Sequence, residues 1–246
     1  MEISTRDLRQ LAADVDDQHR DGMRTMASDI RGLHAETRAA RSGMSRRGFL
    51  TRAGIGGAAL SIGGTVLPIG RLIPAAYGQA LTDGDIAAFA ESVELAAVEA
   101  YRAAAASGKL MPAVVTLGTM FAGHHTEHAK AFAGASGGKA KGKPNPKLLD
   151  AVGGQLKAAA DQKAILTIAF DLENAAAATY MFALGALQSK AALALTASIL
   201  PVESQHAVVL GQAIGKPAKD LFPAGGANNA FETSGKAVDP AQFPVG

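Results

Sequence analysis

The sequence predicts an all-α fold: a four-helix bundle with a long connection between its second and third helices. Three observations carry this. Alanine, Leu, Gln, Glu and Lys fill long runs, while aromatic residues make up only 5% and Trp is absent. That composition favours helices over strands. Four such runs, bounded by Gly, Pro or small polar residues, lie between Leu81 and Gly215. The polar positions of the first two runs recur in the last two, as an internal repeat would produce.

Residues 1–44 form an N-terminal extension. Leu8, Leu11, Val15, Met23, Met26, Ile30 and Leu33 keep helical spacing, with Arg and Asp on the other faces. This reads as an amphipathic helix, either solvated or binding a partner or membrane surface. Residues 45–80 read as an address. "SRRGFLTRAG" from Ser45 sets Arg46 and Arg47 before Phe49 and Leu50. An apolar, glycine-rich run from Ala53 to Gly70 follows, then small residues in "PAAYGQA". This resembles a twin-arginine export signal, with cleavage expected after Ala80 or Gly78. If it is retained, residues 53–70 would anchor the chain in the membrane, although their glycines and Pro68 make a poor permanent helix. Translation from Met44 would give an ordinary-length signal. The expected destination is the periplasm or cell envelope, and the expected first partner is the twin-arginine export machinery.

The bundle is expected over 81–215. Helix one starts at Thr82 or Asp83, which suit a cap, and ends at Gly108. Helix two, "LMPAVVTLGTMFAGHHTEHAKAF", runs into glycines. "KAKGKPNPK" is a basic, solvated loop, and "LLDAVGGQLKAAA" a short connecting helix. Helix three spans "DQKAILTIAFDLENAAAATYMFALGALQ" and helix four "KAALALTASILPVESQHAVVLGQAIG". Met111, Met120 and Met181 read as helix-core residues. The tail, 216–246, is rich in Pro, Gly and Asn, and Phe222, Phe231 and Phe243 are candidate anchors for it.

The repeat concentrates the chemistry. "ELAAVEAY" (94–101) aligns with "ENAAAATY" (173–180), and "HTEHAKAF" (125–132) with "ESQHAVVL" (203–210). Alanines align by chance, so the polar positions carry the case: an apolar helix gains nothing by burying them unpaired. Glu94 and Tyr101 lie two helical turns apart on one face, as do Glu173 and Tyr180. His125 and His128 are adjacent on their face, as are Glu203 and His206. Turned inward, these helices would gather three carboxylates and three imidazoles, a metal-site inventory. Glu91 and Glu99 fall off the Glu94 face and are expected in solvent. His124 and Glu127 are expected outside the ligand set, and Tyr101 and Tyr180 to be core tyrosines or supports for it.

Over roughly half of its length the chain resembles the ferritin-like superfamily. That pattern takes one Glu from each of two helices and a Glu-x-x-His from each of the other two. Glu94 and Glu173 match the single positions, Glu203 and His206 one full pair, and His128 the other His. More narrowly, the chain is similar to exported ferritin-like proteins akin to desiccation-related ones. The departure is His125, which stands where the pattern has Glu. Glu127 lies about 200° further round the helix and should not replace it. The resemblance implies a two-metal centre at Glu94, His125, His128, Glu173, Glu203 and His206. Iron is the first choice, with manganese or zinc as alternatives, and homo-oligomer formation is left open. It implies oxidase or peroxide chemistry; the alternative is a non-catalytic, stress-protective bundle with a degenerate or passive metal site.

Other classes are excluded or unsupported. Residues 1–80 hold eleven Arg against eight acids, but residues 81–246 hold thirteen basic and fourteen acidic residues, so the bundle has no basic footprint for nucleic acid. The absence of Cys removes thiolate sites and Cys nucleophiles. No Gly-rich phosphate loop follows a strand, and no Ser-His-Asp order can be argued.

Overall fold

The structure, a computed structural model, describes residues 3–24, 31, 60–62, 65–67, 81–217, 220–221, 238 and 242–245. Six helices are found among them: α1 (Thr5–Arg24), α2 (Asp83–Ala105), α3 (Pro112–Ala135), α4 (Pro146–Ala158), α5 (Gln162–Ala186) and α6 (Lys190–Ala213). Outside the helices, β1 (Leu60–Ile62) pairs antiparallel with β2 (Thr65–Leu67). The arginine pair, both candidate cleavage sites, Met26, Ile30, Leu33, Phe222 and Phe231 lie outside the described residues.

The bundle is all-helical, and its four long helices are α2, α3, α5 and α6. Their starts follow capping chemistry. Thr82 and Asp85 form a capping box on α2. Asp161 accepts from Ala164 N at 2.9 Å on α5, and Ser189 from Ala192 N at 3.1 Å on α6. Gly108 follows α2 with φ of 69°, a conformation open to glycine at no steric cost. Asp83 crosslinks the bundle end, accepting from the backbone N–H groups of Gln188 and Ser189 in the α5–α6 turn. Helix α6 is long and apolar enough to cross a bilayer, but it carries Glu203 and His206 and packs in the bundle, as a core helix does.

The long connection from α3 to α5 contains α4, as expected. Asn145 pins it. Its backbone N–H donates to Ser92 O at 2.8 Å, its Oδ1 caps α4, and its Nδ2 donates to the carbonyl of Phe243 at 2.8 Å. Phe243 is buried, so this tail anchor is present.

The side-chain readings need three corrections. Glu91 is buried, because the connection folds back over α2 and Gly142 N donates to Glu91 Oε1 at 2.9 Å. Met111 and Met181 are exposed, at 54% and 45%; Met111 stands just before the first turn of α3, outside the packed stripe. Helix α1 is not merely solvated. It lays Leu8 and Val15 into the core cluster of Leu117, Phe121 and Leu210.

Candidate metal centre

Glu94 comes from α2, His125 and His128 from α3, Glu173 from α5, and Glu203 and His206 from α6. The structure brings all six together, each 1% exposed or less. They form two overlapping four-residue sets: Glu94, His125, His128 and Glu203, and His125, Glu173, Glu203 and His206. Within each set the donor atoms lie within 4.8 Å of one another. His125 and Glu203 are common to both.

Buried carboxylates and imidazoles next to one another must share charge or protons. His125 does this most completely. Its Nδ1 donates to Glu94 Oε2 at 2.6 Å and its Nε2 to Glu173 Oε1 at 3.1 Å. Burial opposes its charge, but the carboxylates of Glu173, Glu203 and Glu94 outweigh burial and raise its pKa well above the usual imidazole value. Without metal, His125 is therefore an imidazolium bridge between the two single-Glu positions. His128 is pushed up to about 9, again against burial, by Glu94 and Glu203. His206 is raised against burial by Glu173 and Glu203. Glu94 is held at about 2 despite its burial, by His128 and His125.

The tyrosines support the carboxylates crosswise. Tyr101 on α2 donates to Glu173 on α5, and Tyr180 on α5 donates to Glu94 on α2. The internal repeat thus appears in the structure as a reciprocal pair, and each Tyr hydroxyl finds the partner that burial demands.

His124 is buried and acts behind His206. Asp16 on α1, an acceptor when ionised, takes the hydrogen of His124 Nε2 at 3.1 Å. Burial and the neighbouring His206, His128 and His125 depress the His124 pKa to about 3, so its ring is neutral. Its Nδ1 must then accept from His206 Nε2, 3.0 Å away. This order leaves His206 Nδ1 facing Glu173 Oε2 at 3.3 Å and Glu203 Oε2 at 3.7 Å. A ligand imidazole whose far nitrogen is held by a partner is a recurring metal-site arrangement. Phe121 stacks on the same ring, with centroids 3.9 Å apart.

The donor set fits a metal. Both oxygens of Glu203 and both ring nitrogens of His128 are buried without an aligned hydrogen-bond partner. His128 Nδ1 and Glu203 Oε1 are 2.8 Å apart, but off the hydrogen-bond direction. Unpartnered polar atoms in a dry interior are costly unless something binds them. Hard carboxylate oxygens with imidazole nitrogens suit iron, manganese or zinc.

An apolar cavity borders the cluster. Val93, Ala96, Leu148 and Leu172 line it, with Glu94, Tyr101, His125 and Glu173 along its floor. Small alanines on α2 opposite α5 leave this space. Of the remaining predicted residues, Glu99 is half-buried beside Arg102 and not fully in solvent as expected, and Glu127 is half-exposed at the seam of α1 and α3.

Residues 82–216 match the family described as Ferritin-like domain. The chain belongs to that ferritin-like family, and all six residues of the buried cluster lie within the matched range. Comparison with curated proteins and with solved structures found no match.

Sequence reasoning missed Asp16 and His19 of α1. The only available signal was that α1 carries acids and a His on a helix with an apolar stripe, which does not say where the stripe docks.

Proposed function

We propose that the chain is an exported metal-binding protein with a di-metal carboxylate/histidine centre. The observation that carries this reading is the pair of overlapping four-residue donor sets, buried and joined through His125 and Glu203. Glu173, Glu203 and His206 would hold one ion, and Glu94, His128 and Glu203 the other. Iron is the first choice and manganese or zinc the alternatives. A redox-active ion there would supply electrons to dioxygen or peroxide. The chain's own residues orient and neutralise. Tyr101 and Tyr180 fix the carboxylates, Asp16 and His124 fix His206, and a small, mostly apolar cavity lies beside Glu94 and Glu173. The test is metal analysis of native protein, then anaerobic loading with ferrous ion and exposure to dioxygen. Bound metal and an absorbance change with turnover are expected; a chain that holds no metal refutes the reading.

The site's protonation gives a second check. His128 and His206, which would ligate the ions, carry protons with raised pKa values, and metal must displace one from each. Metal binding is expected to release protons at pH 7, and affinity to rise with pH until above about 9, where His128 has lost its proton. The sign for stability follows. A raised His128 pKa stabilises the metal-free fold fully below 6.5, and that contribution is lost as pH rises through about 9. The metal-free protein should therefore melt earlier on alkalinisation, and added metal should offset the loss. Calorimetry in buffers of different ionisation enthalpy reads the protons. Binding without proton release contradicts the assigned state.

A second reading is a non-catalytic bundle with a passive metal. It is favoured by His125, which holds Glu94 and Glu173 together without metal through two hydrogen bonds. A chelator that leaves melting unchanged, with no reaction on iron loading, would select it.

Export rests on the arginine pair. Changing Arg46 and Arg47 together to Lys should hold the protein in the cytoplasm, because the pair is read by a receptor and not as general charge. Unchanged export would remove the signal from the reading.

A further inference from the structure

His19 is the one buried imidazole of the extension among the described residues, and none of the roles above uses it. It is 2% exposed, and its Nε2 has no hydrogen-bond partner. One face of its ring stacks on His124, with centroids 3.8 Å apart and planes within 15°. Its ring lies 5.2 Å from that of His128, whose two nitrogens are also unpartnered. Glu127 Oε2 is 3.8 Å from His19 Nε2, and the Glu127 side chain is 54% exposed.

Geometry separates the two uses of such a pair. At 3.8 Å the two atoms are too far apart for a hydrogen bond. Two metal–ligand bonds of about 2.1 Å span that distance at an open angle of roughly 130°. The pair thus offers a cation one solvent-facing carboxylate and one dry imidazole nitrogen. Water can fill the remaining positions. Two protein ligands hold an ion weakly, which suits passage and not storage. Beyond His19 the next imidazole is that of His128, a member of the buried set, its ring centroid 5.2 Å from that of His19. The buried Nε2 of His19, left without a partner, is costly to the fold, and a cation in transit would satisfy it.

We propose that a divalent cation reaches the buried centre through the seam of α1 and α3, held in passing by Glu127 and His19. This rests on the proposed metal-binding reading, from which it can be separated. Metal-free full-length chain is mixed rapidly with cobaltous ion, and uptake is followed by the visible absorption of bound cobalt. Equilibrium occupancy is measured in parallel. His19→Phe keeps the ring stack and removes the nitrogen. It is expected to slow uptake about tenfold or more while final occupancy stays the same. Glu127→Gln, at an exposed position that does not threaten folding, should slow uptake and flatten its salt dependence. A His19 that only packs would lower the melting temperature and leave the rate alone. Wild-type rates in both variants, with occupancy intact, overturn the access route and leave the metal reading standing. Absence of cobalt binding by the wild type overturns both.

Discussion

Replacing His125 with Glu is expected to raise metal occupancy from one tightly held ion per chain towards two. Two divalent ions bring four positive charges, and Glu94, Glu173 and Glu203 return three negative ones. The imidazole at 125 returns none, and in the metal-free state it adds a charge of its own by bridging Glu94 and Glu173. Uncompensated charge in a dry site is costly. An imidazole that donates to two carboxylates also has no lone pair free for an ion. His125→Glu removes that clamp and adds the carboxylate that the ferritin-like pattern has at this place. The same change puts a fourth carboxylate into the metal-free interior. The variant should therefore melt lower than wild type without metal, and recover with it. The first position should persist, because Glu173, Glu203 and His206 are untouched. His206→Ala should instead abolish that position, since it removes the imidazole that Asp16, His124 and Phe121 hold in place. Anaerobic titration of wild type and both variants, with melting in parallel, checks this. Two equally tight ions in the wild type, or lower occupancy in His125→Glu, would show that the account of His125 is wrong.

The parts legible in the sequence are those governed by local periodicity. Glu94 with Tyr101, and Glu173 with Tyr180, are two turns apart, so any helix through them shows them on one face. Their recurrence marked them as paired. The crosswise bonding of each Tyr to the other helix's Glu is a tertiary fact, set by the opposition of α2 and α5. Glu91 shows the limit. Its helical angle suggested solvent, but burial there is decided by a connection fifty residues on, where Gly142 folds back to it. His124 was similarly ambiguous, since its partners lie on α6 and on α1. The docking of α1 was not legible because an amphipathic stripe records that a face will be covered, not by what. The role of His125 as a bridging cation needed distances, since spacing alone cannot tell a ligand from a clamp.

Asp16→Ala is expected to weaken the tighter metal position about 10- to 100-fold, the range seen when the partner behind a ligand imidazole is removed. Asp16 belongs to neither donor set. It acts by taking the hydrogen of His124 Nε2, which obliges His124 Nδ1 to accept from His206 Nε2 and so turns His206 Nδ1 towards Glu173 and Glu203. Without Asp16, the neutral His124 ring is free to carry its hydrogen on Nδ1. Two N–H groups would then oppose each other 3.0 Å apart, and His206 would lose its fixed orientation. The fold should survive, since Leu8 and Val15 still seat α1 against Leu117 and Phe121. Nitrogen chemical shifts of the His124 and His206 rings separate this role from mere packing, because only a tautomer change moves them. Removing residues 1–24 should weaken the same position at least as much, since Asp16 leaves with α1. This matters for the proposed export. Cleavage after Ala80 or Gly78 would remove α1 together with the arginine pair, and with it both Asp16 and the His19 access route. Metal would then be loaded while α1 is present, and the cleaved form should hold it less tightly. Comparing metal dissociation from the full chain and from residues 81–246 decides this. Equal rates, or unchanged ring shifts and affinity in Asp16→Ala, would mean that α1 covers the site without tuning it.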